Sequence, residues 1–238
     1  ALPLFGREPA RTRPLPSGEG AESYRAVFAH IFSERPFLRY YYVGLSAFYL
    51  ATASLLAWYP ALLVREMGLG TGTAGVSAGL TYLAGGVAGT IAATAYFSSR
   101  PQLTPATIVR AFLIVTCLLA PVLVALPHAS SLPLSLVAYG LFAFLSAGVL
   151  AIMPVPIQLG LPERMRARGT AIISLLMSAL AGTLGPLFVG AFMDLTGQGL
   201  GTALSVALAF SAVLSIWSFH RSDAAREQKI QEQFDDVS

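Results

Sequence analysis

The residues of this chain that could do chemistry are few and scattered. Its three histidines, His30, His128 and His220, fall in three separate regions, and no His-x-x-His pair joins any two of them. Acid–base or nucleophilic catalysis needs a base positioned beside its partner, and a hydrolytic metal needs converging ligands. With neither constellation legible, no enzyme, no metal site and no cofactor is expected. The single cysteine, Cys117, lies inside an apolar run and reads as a small buried hydrophobe. What remains is hydroxylic and aromatic: Tyr49, Thr52, Tyr82, Tyr139, Ser146, Ser174 and Ser178, with one cation, Arg110, inside an apolar stretch. Tyrosine offers an apolar body with a polar tip, which suits a site that binds a solute and releases it. The structural alternative for each hydroxyl is a satisfied bond between helices. For Arg110 it is a guanidinium reaching back to the membrane interface, against contact with a substrate anion.

The elements that must hold these residues follow from composition. Hydrophobic residues make up 55% of the chain and charged ones 11%, against roughly 25% charged in a soluble domain. So few charges cannot cover a water-facing surface, whereas a lipid-facing one needs none. Six apolar stretches, at 40–64, 71–97, 104–126, 132–158, 169–193 and 199–219, are each near the ~20 residues a helix needs to cross the hydrocarbon core. Barrel strands are excluded, because these runs are too long and do not alternate in polarity. The expected fold class is therefore an all-α membrane protein of six transmembrane helices, seated in a lipid bilayer at 38–219. Residues 1–37 read as a cytoplasmic linker that ends in an amphipathic surface helix, with Val27, Phe28, Ile31 and Phe32 at helical spacing. Residues 220–238 read as a charged cytoplasmic tail.

The net charge of +3 does not indicate a nucleic-acid partner, because the basic residues fall in short clusters between apolar runs. Their placement gives orientation instead. With both termini in the cytoplasm, fourteen of the fifteen basic residues lie inside and Arg65 alone lies outside. Fourteen arginines to one lysine, and no asparagine, read as bacterial genome bias and place the chain in a bacterial inner membrane. A start at Ala1 rather than Met reads as a fragment, trimmed or processed chain.

Glycines mark where helices approach. Gly75, Gly79, Gly85, Gly86 and Gly89 in the second stretch predict close packing against a neighbouring helix. In the fifth, Gly182, Gly185, Pro186 and Gly190 predict a bend, either a hinge in a moving helix or a static kink, since proline removes one backbone bond. Faint internal similarity accompanies them. Ala57-Trp58-Tyr59-Pro60 matches Ala151-Ile152-Met153-Pro154 at an offset of 94, and Leu83-Ala84-Gly85 matches Leu180-Ala181-Gly182 at 97. Three spans separate the copies, so they insert in opposite directions, as a 3+3 inverted repeat of a transporter fold would.

The stretch Leu161-Pro162-Glu163-Arg164-Met165-Arg166-Ala167-Arg168-Gly169-Thr170-Ala171, followed by Gly182 to Gly190 and Asp194, resembles the tenth-to-eleventh helix region of the major facilitator superfamily. Arg7-Glu8-Pro9 resembles the start of that family's central loop. Ala57-Trp58-Tyr59-Pro60 with Arg65-Glu66-Met67-Gly68-Leu69 resembles the seventh helix of Spinster-like members. The resemblance covers the chain as a C-terminal half of six helices. It implies alternating access against an N-terminal six-helix half, or less readily a second copy, and a small-molecule solute of lysolipid or sphingoid type. One departure is visible: Ala95 to Pro101 holds one arginine and no acid where many members carry an acidic, arginine-rich gating motif. The alternative function is a non-transporting six-span scaffold or degenerate half-transporter subunit.

Overall fold

A computed structural model describes residues 23–100 and 103–235. Residues 1–22 of the linker read at 1–37, with the Arg7-Glu8-Pro9 match, lie outside the described residues. Among those described, every element is helical. Six helices are long and apolar enough to span a membrane: Pro36–Met67, Thr71–Ser98, Pro105–His128, Leu132–Gly160, Glu163–Thr196 and Leu200–Ala225. They are numbered here as the first to sixth spans.

Local chemistry sets their ends. Pro36 opens the first span, where its missing N–H costs nothing. The Thr104 hydroxyl caps the third by accepting from the Thr107 N–H. Gly68 and Gly197, at φ +67° and +68°, close the first and fifth in the left-handed region that glycine enters freely. The helices outrun the apolar stretches read from sequence. The fifth begins at Glu163, in a segment read as a loop, and Glu163 supplies an acid to its first turn, where the helix dipole favours one. The last helix continues through the charged tail to Asp235. Hydropathy marks only the part in hydrocarbon, whereas helical hydrogen bonding continues into the headgroups.

The most extensive packing joins the second span to the fourth and the first to the sixth; the third also packs on the sixth, and the first on the fifth, so that second–fourth and first–fifth form two couples. Both couples use the same contact. A Cβ on Gly89 would collide with the Phe144 carbonyl, and one on Gly185 would sit 2.7 Å from the Leu50 carbonyl oxygen. Gly89 and Gly185 stand 96 positions apart, Leu50 and Phe144 94 apart. The inverted repeat is thus visible as one glycine-on-carbonyl contact made twice. In lipid, where no hydrophobic drive joins helices, this close approach gains dispersion contacts.

The first and sixth spans meet differently, through a seam of hydroxyls. Ser211, Ser215, Ser218 and Ser222 are each at most 1% exposed. The Ser215 hydroxyl donates to the Gly44 carbonyl at 3.0 Å and the Ser222 hydroxyl to the Phe37 carbonyl at 2.9 Å. The outer side of the same helix carries Val206, Phe210, Val213 and Trp217.

All spans run antiparallel to their sequence neighbours, which gathers Arg35, Arg39, Arg110, Arg164, Arg166, Arg168 and Arg221 at one end of the bundle. Arg65 lies at the other. At the basic end, Tyr41 donates to the Met153 carbonyl at 2.7 Å, where Pro154 interrupts the fourth span, and Tyr42 donates to the Gly169 carbonyl at 3.0 Å. A short helix, Tyr24–Ala29, and the wide turn His30–Glu34 pack here with Val27 and Ile31 fully buried. Tyr24 and Phe28 face outward, and the Arg168 guanidinium lies 5.4 Å from the Tyr24 ring centroid.

Cys117 differs from its reading. It is exposed, because a lipid-facing side accepts a small apolar group as readily as an interior does.

Candidate functional site

The sequence-derived candidates separate into four groups. Tyr49 on the first span and Tyr82 on the second are partly exposed. Each lies within its own couple: Tyr49 is beside Gly182 of the fifth span, and the Tyr82 ring is 6.1 Å from that of Tyr139 on the fourth. They are the partly exposed phenols among the candidates.

A second group is internal. Tyr139 is 2% exposed and stacks on Tyr59, with ring centroids 3.7 Å apart. Thr52 is buried and donates to the Phe48 carbonyl at 3.1 Å, and Ser146 is buried and donates to Ala143 at 3.3 Å. These three support the fold and do not line an open face. A third group, Ser174 and Ser178, is exposed, but each hydroxyl donates back to its own helix, to Thr170 at 3.0 Å and Ser174 at 2.7 Å. A hydroxyl so engaged keeps its lone pairs available as acceptors.

Arg110 is placed elsewhere. Its Nε donates to Asp223 Oδ2 at 2.8 Å at the basic end, tying the third span to the sixth. It is therefore removed from Tyr49 and Tyr82, and the expected interfacial guanidinium has a specific carboxylate partner.

The glycine positions divide too. Gly85, at 2.5 Å from the Gly140 carbonyl oxygen by its projected Cβ, and Gly89 are packing residues; Gly86 has only Ala147 near it, at 3.9 Å. Gly75 and Gly79 have nothing within 4 Å, so close packing is not their role in this bundle: the second span is the least covered, and they lie on its open side. In the fifth span, Gly182, Gly185 and Gly190 face Tyr49, Leu50 and Trp58 of the first. The Trp58 indole donates to the Pro186 carbonyl at 3.0 Å. The irregularity precedes the proline: a wide π-helical turn spans Leu176–Ala181, and Pro186 sits inside the continuous helix Gly182–Thr196. Such turns recur at functional sites.

Sequence reasoning missed Tyr59 and Ser135 as supports of Tyr139. Their hydroxyls share a hydrogen bond at 3.0 Å. Tyr59 was visible only as part of a motif, and Ser135 gave no signal.

One pattern needs the structure to interpret it. Gly75-Val76-Ser77-Ala78-Gly79 has the Gly-x-Ser-x-Gly form of a nucleophile elbow, which requires a strand, a strained turn and a helix. Here it lies inside the unbroken helix Thr71–Ser98, where no elbow forms. Among the described residues, no group of three His, Cys, Asp or Glu side chains gathers into a metal site.

The profile of the Major Facilitator Superfamily matches residues 1–186. No curated protein matches the chain. Among solved structures it is similar to a bacterial homologue of the human lysosomal transporter Spinster, in an inward-facing, unoccupied conformation. The TM-score is 0.52 at 18% identity, covering 92% of this chain and 52% of that one. The chain thus spans about half the length of the structure it matches. It belongs to the Major Facilitator Superfamily, a family of integral membrane transporters and not of enzymes, and its six helices have the fold of half such a transporter.

Proposed function

We propose that this chain is the C-terminal half of a secondary transporter that carries a small amphipathic or lipid-like organic solute by alternating access. The observation that carries this reading is that the candidate phenols left partly exposed on the spans are Tyr49 and Tyr82 and that no ionised side chain lies at mid-span. A charged metabolite or a sugar would need paired charges or many hydrogen-bonding groups there, because an unmatched polar group in hydrocarbon costs several kcal/mol. A solute with an apolar body and few polar groups would not. The Spinster-like resemblance of Ala57–Pro60 and Arg65–Leu69 implies the same cargo class, lysolipid or sphingoid-like, and the doubled length of the matched structure supports a second six-helix half as partner. Both termini are proposed to face the cytoplasm of a bacterial inner membrane.

The glycine-faced fifth span, with its wide turn at Leu176–Ala181, is the element proposed to move during transport. The test is uptake by the complete chain in proteoliposomes, comparing a single-chain amphiphile with small hydrophilic solutes. Amphiphile uptake should predominate, and Tyr49→Phe and Tyr82→Phe should raise its KM. Uptake of hydrophilic solutes alone would reject the cargo class; no uptake of any solute, with the chain folded, would favour a scaffold.

A further inference from the structure

Between the second, third and fourth spans, near the basic end, lies a cleft of about 280 Å³. Its walls mix small residues, Ala92 and Ala93 of the second span and Ala111 of the third, with the rings of Phe97, Phe112 and Phe144. Every wall residue is apolar except Tyr96. That exception sits at the rim. The Tyr96 hydroxyl accepts from Arg100 Nη2 at 2.5 Å, and the Arg100 guanidinium lies 4.6 Å from the Tyr96 ring centroid. An arginine has five N–H donors, and one is spent on Tyr96. No carboxylate pairs with Arg100 among the described residues.

We propose that this cleft binds an anionic phospholipid, with one acyl chain along the apolar walls and the headgroup phosphate on Arg100. Two features select this occupant. A gap opening onto hydrocarbon is filled best by hydrocarbon, since an empty one forfeits dispersion contacts on one side. The rim then adds a cation at headgroup level, held in place by Tyr96, where a phosphate accepts strong charge-assisted hydrogen bonds. The arginine that remains in the Ala95–Pro101 segment thereby acquires a role other than a charge-relay gate. The site is separate from the partly exposed phenols: Tyr96 is fourteen residues from Tyr82 on one helix, roughly 21 Å along it. It does not depend on what those phenols bind.

The test uses the complete chain, purified in detergent and stripped of lipid. Phosphatidylglycerol should raise Tm, whereas phosphatidylcholine with the same acyl chains and soluble glycerol 3-phosphate should not. Arg100→Gln should weaken the apparent affinity for phosphatidylglycerol about fivefold, and Ala92→Phe, which fills the cleft, should abolish the shift. Phosphatidylglycerol with a photoreactive group in its acyl chain should label the unmodified chain within 89–97, 111–115 or 144–149. Equal shifts with phosphatidylcholine or with glycerol 3-phosphate, an unchanged response in both variants, or labelling confined to other spans would each overturn the site. The last result would indicate that another helix, from the other half, covers the cleft. The labelling arm needs no variant and decides the matter even if a substitution fails to fold.

Discussion

The Tyr59 and Tyr139 rings lie 15° from parallel with their centroids 3.7 Å apart, joining the first span to the fourth at the end away from the arginines. The Tyr59 hydroxyl shares a hydrogen bond with Ser135 at 3.0 Å, which satisfies the Tyr59 end of the contact. Tyr82 rests near the back of this stack, 6.1 Å from Tyr139.

Removing the Tyr59 hydroxyl should therefore affect stability and not solute recognition. Tyr59→Phe is expected to cost about 1 kcal/mol, and Tyr139→Ala about 3–5 kcal/mol through the cavity it leaves. Thermal unfolding and uptake kinetics on the same preparations check this. A Tyr59→Phe variant with unchanged Tm but altered KM would mean that Tyr59 meets the solute directly.

The glycine-on-carbonyl contacts should be equally intolerant in both copies. Gly89→Ala and Gly185→Ala should each destabilise by about 1–3 kcal/mol, the usual cost of overpacking. Gly86→Ala, whose nearest neighbour is an ordinary van der Waals contact away, should cost less than half as much. Similar Tm values for Gly86→Ala and Gly89→Ala would contradict the packing described here.

Arg110 should be dispensable for transport. Its pair with Asp223 is half exposed on the arginine side, and exposed pairs contribute about 0–1 kcal/mol. Arg110→Gln should leave KM unchanged and lower Tm slightly, with the difference shrinking at high salt. A folded Arg110→Gln chain without uptake would return the residue to the solute path.

Sidedness can be read by labelling. On a Cys117→Ala background, cysteines replacing Arg35 and Arg168 should react with an impermeant maleimide from one side, and one replacing Glu66 from the other. Unmodified Cys117, exposed toward lipid, should react slowly, because hydrocarbon disfavours the reactive thiolate. Labelling of Arg35→Cys and Arg168→Cys from opposite sides would refute the topology.

The six spans were legible because lipid requires a helix to be apolar on every side for about twenty residues. The same requirement erased other information. With apolar groups facing both lipid and neighbour, periodicity does not distinguish the buried Tyr139 from the partly open Tyr82, nor the exposed Cys117 from a core residue. The wide turn at Leu176–Ala181 contains neither glycine nor proline, so nothing in its residues announced it. Asp223 lies 113 positions from Arg110, in a segment read at the sequence level as tail, and only the fold could join them. The glycines were legible as a class, but which of them touch a backbone depended on partners the sequence does not name.

The sixth helix buries hydroxyls beside Leu204, Leu208 and Phe219 while leaving other large apolar groups on its outer side. Its serines turn inward and its valines, Phe210 and Trp217 turn outward. Moved into water, the same segment would leave those outer groups facing a solvent that disfavours them. Which flank of this helix counts as the interior is thus decided jointly by its residues and by the solvent around it. Any detergent chosen to extract the protein has to reproduce hydrocarbon along that outer flank before the inner one can stay closed.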